Sequence, residues 1–266
     1  MTTEYLHFFL LGLIQGITEF LPISSSSHLI LVPRLLNWED QGLAADVAAH
    51  VGSLCAVIFY FRSDLKKMLT RWYASGFSLK DEQSLYVWYL AAATLPIAIV
   101  GYLSSDYVEI YLRDPLIIAG TTIVFGLLLW WADYSGKQTR DELGLNWKDV
   151  FIIGAFQVLA LIPGTSRSGI TISAGLLLGL DRASAARFAF LLSVPTILLA
   201  GGYEGLKLIL SSTAVNWIAF LIIVVTSFIT AVFTIHYFLK FLNQTGMVPY
   251  VIYRLFLGAT LLYKFL

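Results

Sequence analysis

Glu19 and Arg167 are charged residues set inside long apolar stretches, each beside groups that can move a proton or hold an anion. Glu19 belongs to the tract Gln15-Gly-Ile-Thr-Glu19-Phe-Leu-Pro22-Ile-Ser24-Ser25-Ser26-Ser27-His28, and Arg167 to Gln157-Val-Leu-Ala-Leu-Ile-Pro163-Gly164-Thr165-Ser166-Arg167-Ser168-Gly169, with Thr171 just beyond. A histidine adjoining serines, close in sequence to a carboxylate, is the wiring of an activated hydroxyl nucleophile. A guanidinium fork flanked by hydroxyls, after a Pro-Gly turn that opens a helix, describes a phosphate-binding loop. Glu19 can hold a hard divalent cation through oxygen or act as a base, and Gln15, four residues earlier, shares its helix face.

Each group also has a plainer reading. Gln15 and Glu19 can bond to neighbouring helices, and the serines can cap the next helix with His28 as a satisfied polar core residue. Glu19 can be the structural partner of Arg167. Gly12 and Gly16 lie on nearly one face, where small residues let another helix approach. Asp46 and His50 read as an i,i+4 pair near the outer surface. His7 and His236 read as packing residues, and Arg254 as a snorkelling or paired arginine without a role. Bare polar groups at membrane depth are costly, so the two tracts are candidate functional sites by default.

The elements that carry these tracts belong to a membrane. The 266 residues are 58% hydrophobic and 13% charged, and the mean hydropathy is +0.77, far from a soluble domain. A formal charge of zero gives no reason to expect nucleic acid. The single cysteine, Cys55, sits in an apolar run and reads as a small buried hydrophobe, which excludes a disulfide framework or a cysteine metal site. The N-terminal stretch has no basic region and carries Gln15 and Glu19, unlike a cleaved signal peptide.

Runs of about 20 apolar residues, the length that crosses a bilayer core, predict six spans over 43–61, 84–103, 115–132, 188–210, 217–239 and 248–265. Two further stretches, 5–36 and 150–180, are broken midway by proline and hydroxyl clusters. Each reads as a helix–loop–helix hairpin that enters and leaves the membrane by one side, which needs a protein-lined or wet setting. The predicted fold is therefore an all-α polytopic membrane protein of one domain, residues 1–266. If the spans alternate, eleven basic residues (in 62–83 and 133–149, with Arg182, Arg187 and Lys240) face Arg34, Arg113 and Lys264 on the other side. The richer side is cytoplasmic by the positive-inside rule. The hairpins then enter from opposite sides, each followed by three spans, as an inverted repeat of about 1–132 and 150–266. Gly12, Gln15 and Pro22 match Gly154, Gln157 and Pro163 with one residue of slippage. Such repeats commonly place a site near the midplane, with half-helix N-termini aimed at an anion.

The elements Gln15-x-x-x-Glu19 with Pro-x-Ser-Ser and His28, and Pro163-Gly-x-Ser-Arg-Ser-x-x-Thr171, closely resemble the two signatures of the bacterial undecaprenyl-diphosphatase family of the bacitracin-resistance type. The likeness runs the length of the chain and includes Pro249–Arg254. It implies a phosphatase of the bacterial plasma (inner) membrane that converts undecaprenyl diphosphate to the lipid carrier undecaprenyl phosphate, with its site facing the outer, periplasmic side. By position, it implies Glu19 as the essential acidic residue and metal ligand, Ser25 as nucleophile and His28 as its partner. Arg167 clamps phosphate; Gln15, Ser24, Ser26, Ser166, Ser168 and Thr171 contact substrate; and Mg²⁺ or Ca²⁺ is the cofactor. A homodimer in membrane lipid is a further expectation. Gln15 stands where relatives have Glu or Gln and cannot be a charged ligand or a base. The serine tract lacks the glycine that many relatives carry before His28. Direct attack by water, with His28 or Glu19 as base, is the alternative chemistry. A flippase without hydrolysis, or a dual phosphatase–flippase, is the alternative function. A phosphatidic-acid-phosphatase site is excluded, because it expects histidine where Ser173 stands.

Overall fold

The computed structural model describes residues 2–36, 38, 42–211 and 215–266; the Arg34 side chain counted above lies outside what is described, as does part of 211–216. Eleven α-helices follow in order: α1 Thr2–Thr18, α2 Ser25–Leu36, α3 Gly42–Tyr60, α4 Arg62–Ala74, α5 Glu82–Tyr111, α6 Pro115–Ser135, α7 Trp147–Val158, α8 Arg167–Leu177, α9 Arg182–Leu210, α10 Trp217–Thr245 and α11 Val248–Phe265. No strand occurs among the described residues.

Five helices, α3, α5, α6, α9 and α10, are long and apolar enough to cross a membrane. They answer to five of the six predicted spans. Asp81, Asp114, Asp181 and Asn216 accept N–H groups at the starts of α5, α6, α9 and α10, which satisfies donors that have no partner within the helix. The sixth predicted span is α11, an 18-residue helix that carries Arg254 and Lys264. The basic segment after α3 is no plain loop. Residues 62–74 form α4, which buries Met68 and leaves its lysines out.

Both interrupted stretches are helix–break–helix units. α1 stops at Thr18 and α2 starts at Ser25; α7 stops at Val158, passes through a 3-10 turn over Leu159–Leu161, and α8 starts at Arg167. Their first helices pack in exchanged fashion, α1 on α10 and α7 on α5. A Cβ on Gly12 would lie 2.9 Å from the Ile223 backbone of α10, and one on Gly154 would lie 3.0 Å from the Ala93 backbone of α5. Both glycines allow backbones to approach, and the matched residues make matched contacts. At one end of the bundle, charge ties the long elements together. Arg182 meets Asp133 at 2.6 Å, Arg187 meets Asp64 at 2.5 Å and Glu142 at 2.9 Å, and Arg140 meets Asp149 at 2.6 Å. Cys55, expected to be buried, is exposed on α3. Hydropathy alone does not separate the lipid face of such a helix from its core face, because both are apolar.

Candidate active site

The site begins as two turns of one design. Ser24 and Ser166, the residues just before α2 and α8, both have left-handed backbones, with φ of 73° and 70°. A non-glycine residue in that region is strained and persists only when its surroundings hold it. Here the hold is a cap. Ser24 Oγ accepts from the Ser27 N–H at 3.4 Å and from Ser27 Oγ at 3.0 Å; Ser166 Oγ accepts from the Gly169 N–H at 3.1 Å. Each capping hydroxyl also meets the serine two residues on, Ser26 at 3.1 Å and Ser168 at 3.2 Å. Gly164, with φ +96°, lets the second turn pass α6: a Cβ there would lie 2.0 Å from Thr121 Oγ1.

The first residues of the two helices, Ser25 and Arg167, converge on one carboxylate. Ser25 Oγ donates to Glu19 Oε2 at 2.7 Å, and Arg167 Nη2 donates to Glu19 Oε1 at 2.9 Å. Gln15 Nε2 donates to Glu19 Oε2 at 3.2 Å and to Ser53 Oγ at 3.4 Å. Arg167 Nη1 is spent on the Ala189 carbonyl at 3.0 Å, and Ser168 Oγ donates to the Leu21 carbonyl at 3.0 Å, a second tie between the loops. Glu19 and Gln15 are buried, Ser25 is half-buried and Ser26 is exposed. Two helix N-termini, where partial positive charge concentrates, thus frame a buried carboxylate, a reachable hydroxyl and a guanidinium. That arrangement can bind an anionic phosphoryl group and remove a proton from the hydroxyl.

The expected Ser25–His28 contact is not among the hydrogen bonds of the described residues; Ser25 is wired to Glu19. His28 reaches back along α2, its Nδ1 2.7 Å from the Ser24 carbonyl, and its Nε2 lies 2.5 Å from the Tyr253 hydroxyl. Thr171 bonds the carbonyls of Arg167 and Ser168 within its own helix, at 2.8 and 3.2 Å. Ser166 and Ser168 are buried and hold the loops, so Arg167, with its side chain 11% exposed, is the more accessible member of the predicted phosphate group. His50 bonds the Asp46 carbonyl at 2.8 Å. His7 stacks on Trp38.

Arg254 corrects the reading that gave it no role. It is completely buried, and its guanidinium donates to Thr122 O at 3.0 Å, Pro22 O at 3.2 Å, Thr165 O at 2.9 Å and Gly164 O at 2.9 Å. One side chain on α11 therefore joins α6 and both loops. The sequence signal was the breaks themselves. A non-helical turn in an apolar setting strands carbonyls that need a donor, and five fixed N–H groups on one residue are the densest source.

Among the described residues no group of three His, Cys, Asp or Glu side chains could form a cation cage. Glu19 is the one carboxylate at the site, with both oxygens engaged, whereas Gln15 Oε1 is buried without a partner. That donor set could contribute only two oxygens to a cation, whose remaining ligands would have to come from a bound anion or water.

A chain with five candidate spans and two interrupted helix pairs meeting at an ion-paired carboxylate is a multi-pass membrane protein. Residues 8–260 match the family described as "Bacitracin resistance protein BacA", and the chain belongs to that family. It is 51% identical over 266 residues to undecaprenyl-diphosphatase 2 of Stutzerimonas stutzeri (98% of each chain). It is 53% identical over 259 residues to undecaprenyl-diphosphatase of Teredinibacter turnerae (97% of this chain, 98% of the other), and 53% identical over 258 residues to undecaprenyl-diphosphatase of Saccharophagus degradans (97% of each).

Proposed function

We propose that the protein is an undecaprenyl-diphosphate phosphatase, hydrolysing the terminal phosphate of the lipid diphosphate to leave undecaprenyl phosphate. The observation that carries this reading is the chain Ser25–Glu19–Arg167, which joins the two loops through one carboxylate at 2.7 and 2.9 Å. The diphosphate competes with Glu19 for the Arg167 fork. As the guanidinium turns to the phosphoryl oxygens, the carboxylate loses its counter-ion and accepts the Ser25 proton. Ser25 Oγ forms a bond to the terminal phosphorus, the anhydride P–O bond breaks, and undecaprenyl phosphate departs as an oxyanion. Water then cleaves the phosphoserine to inorganic phosphate, with His28 and Glu19 as the acid–base groups. Phosphoryl transfer depends mostly on positioning and charge stabilisation, and the two helix N-termini supply both. Gln15 Oε1, with Glu19, would hold a divalent cation, Mg²⁺ or Ca²⁺, which would supply neutralising charge at the diphosphate when bound.

The same proposal covers the architecture: six spans including α11, and two hairpins re-entering from opposite faces of the bacterial inner membrane. They form inverted repeats of about 1–132 and 150–266 in one domain, with the site open to the periplasm. The exchanged packing of α1 on α10 and α7 on α5, and the paired strained serines, support the repeat. The deciding experiment is phosphate release from undecaprenyl diphosphate by the purified protein, with and without EDTA. Release that EDTA stops and Mg²⁺ restores is expected; no release overturns the reading. Ser26→Cys in a Cys55→Ser background should react with an impermeant thiol reagent on intact cells, and labelling only from the inner face would reverse the orientation.

A further inference from the structure

Tyr253 belongs to neither interrupted tract, yet its hydroxyl is 2.5 Å from His28 Nε2 and its ring lies within 12° of parallel to the imidazole, centroids 5.7 Å apart. The other ring nitrogen fixes the chemistry of this contact. A carbonyl oxygen can only accept, so Nδ1 carries a proton for Ser24 O, and in the neutral ring Nε2 presents a lone pair. The tyrosine O–H is then the donor to Nε2. The pairing of a histidine with a hydroxyl that the sequence suggested for Ser25 is thus made, from the far end of the chain, by Tyr253.

The two partners differ in freedom. His28 is buried, whereas Tyr253 is 40% exposed, so the tyrosine can turn away while the histidine stays. The backbone of Tyr253 is fixed all the same, because the next residue, Arg254, is bonded to Pro22, Gly164 and Thr165. We propose that Tyr253 is a positioning residue for His28: its hydroxyl holds the Nε2 lone pair in the resting protein and yields that place, once the diphosphate is bound, to the water that gives Nε2 its proton in the hydrolytic step. The inference rests on the phosphatase reading above and adds to it a residue from α11. A side chain that must orient a catalytic group affects turnover more than ground-state binding.

Two substitutions separate the hydroxyl from the ring. Tyr253→Phe removes only the oxygen, and Tyr253→Leu removes the ring as well. Loss of one such hydrogen bond should lower kcat about tenfold, with KM within about twofold and the thermal unfolding midpoint unchanged. Tyr253→Leu should lose kcat to the same extent. Overturning results are a kcat for Tyr253→Phe within about twofold of wild type, a rise in KM that accounts for the whole loss, or a fall in kcat accompanied by a lower melting midpoint. A second readout is independent of turnover. In protein labelled with ¹⁵N-histidine, with His28 assigned through His28→Gln, the Nε2 resonance should shift in Tyr253→Phe. It should also shift when inorganic pyrophosphate is titrated into wild type. If the resonance ignores both changes, the proposal is wrong whether or not the protein is a phosphatase. A wild type that releases no phosphate while the resonance responds would instead sink the phosphatase reading and leave the positioning contact standing.

Discussion

The turn before α2 and the turn before α8 have nearly the same backbone and very different cargo. Both place a serine at a left-handed φ, both use its hydroxyl as a helix cap, and both spend it again on the serine two residues later. After that they diverge. The first turn is preceded by Glu19 and leads into Ser25 and His28, a set of proton-handling groups. The second leads into Arg167, with Gly169 and Ile170 where the first has Ser27 and His28. In the proposed mechanism one loop holds the groups that move protons and the other the cation that holds charge, and they meet at Glu19. A duplicated turn can thus supply geometry twice while only the residues at the helix starts decide the chemistry. The matched glutamines repeat the lesson. Gln157 is fully engaged, with Ala93 O at 3.0 Å and Thr196 Oγ1 at 3.2 Å, whereas Gln15 turns its amide to Glu19 and leaves Oε1 without a partner.

The strongest way to break this division is to remove the proton acceptor from the first loop. Glu19→Gln should lower phosphate release about 10³-fold or more, ~4 kcal/mol in barrier terms, and excess Mg²⁺ should not restore it. Ser25→Ala should match it, with Ser24→Ala and Ser26→Ala only reduced. If all three serine variants turn over substantially, water is the attacking group.

Arg254 tests whether the loops need a common anchor. Arg254→Met strands three buried loop carbonyls, Pro22, Gly164 and Thr165, and should cost on the order of 3 kcal/mol of stability, read as a lower unfolding midpoint in detergent. A wild-type midpoint would remove the anchor from the account. Arg167→Lys keeps the charge of the second loop and loses the fork, so activity should fall at least tenfold, ~1.4 kcal/mol, with folding intact. Retention of more than about a tenth of wild-type turnover would contradict the phosphate clamp.

The glutamine pair should separate function from packing. Gln157→Leu removes its bonds to Ala93 O and Thr196 Oγ1 and should cost ~1–2 kcal/mol of stability with little change in kcat, while Gln15→Leu should lower activity with a near-normal midpoint. Reversal of that pattern would mean the two halves have been assigned the wrong way round. The smallest effect is expected at the paired caps. Ser166→Ala should lose about 1 kcal/mol of stability, and Ser24→Ala should do the same, so unequal losses would show that the two turns are not equivalent.

Much of this was legible because it is local. Proline and serine clusters cannot continue an apolar helix, so both breaks are visible in the sequence, and the carboxylate, histidine and arginine beside them announce a site. Five spans followed from run length. The proposed repeat rests in the sequence on Gly12, Gln15 and Pro22 against Gly154, Gln157 and Pro163. Other features were hidden for particular reasons. Cys55 lies on an apolar helix whose lipid face and core face read alike. Ser25 is three residues from His28 and six from Glu19, and sequence distance favoured the histidine. The helix start instead directs Ser25 toward the carboxylate, and His28 reaches back to the carbonyl four residues before it.

By itself, then, the sequence determined where the helices stop and which chemical groups stand at the stops, since both depend on short-range hydrogen bonding and on the cost of polar groups in apolar surroundings. Which group touches which was decided only by the tertiary structure. Glu19 meets Arg167 across 148 residues, Tyr253 meets His28 across 225, and Arg254 reaches Pro22 across 232. Contacts at such separations are fixed by how helices pack, through glycine faces and stranded carbonyls seeking donors, and no spacing along the chain encodes them.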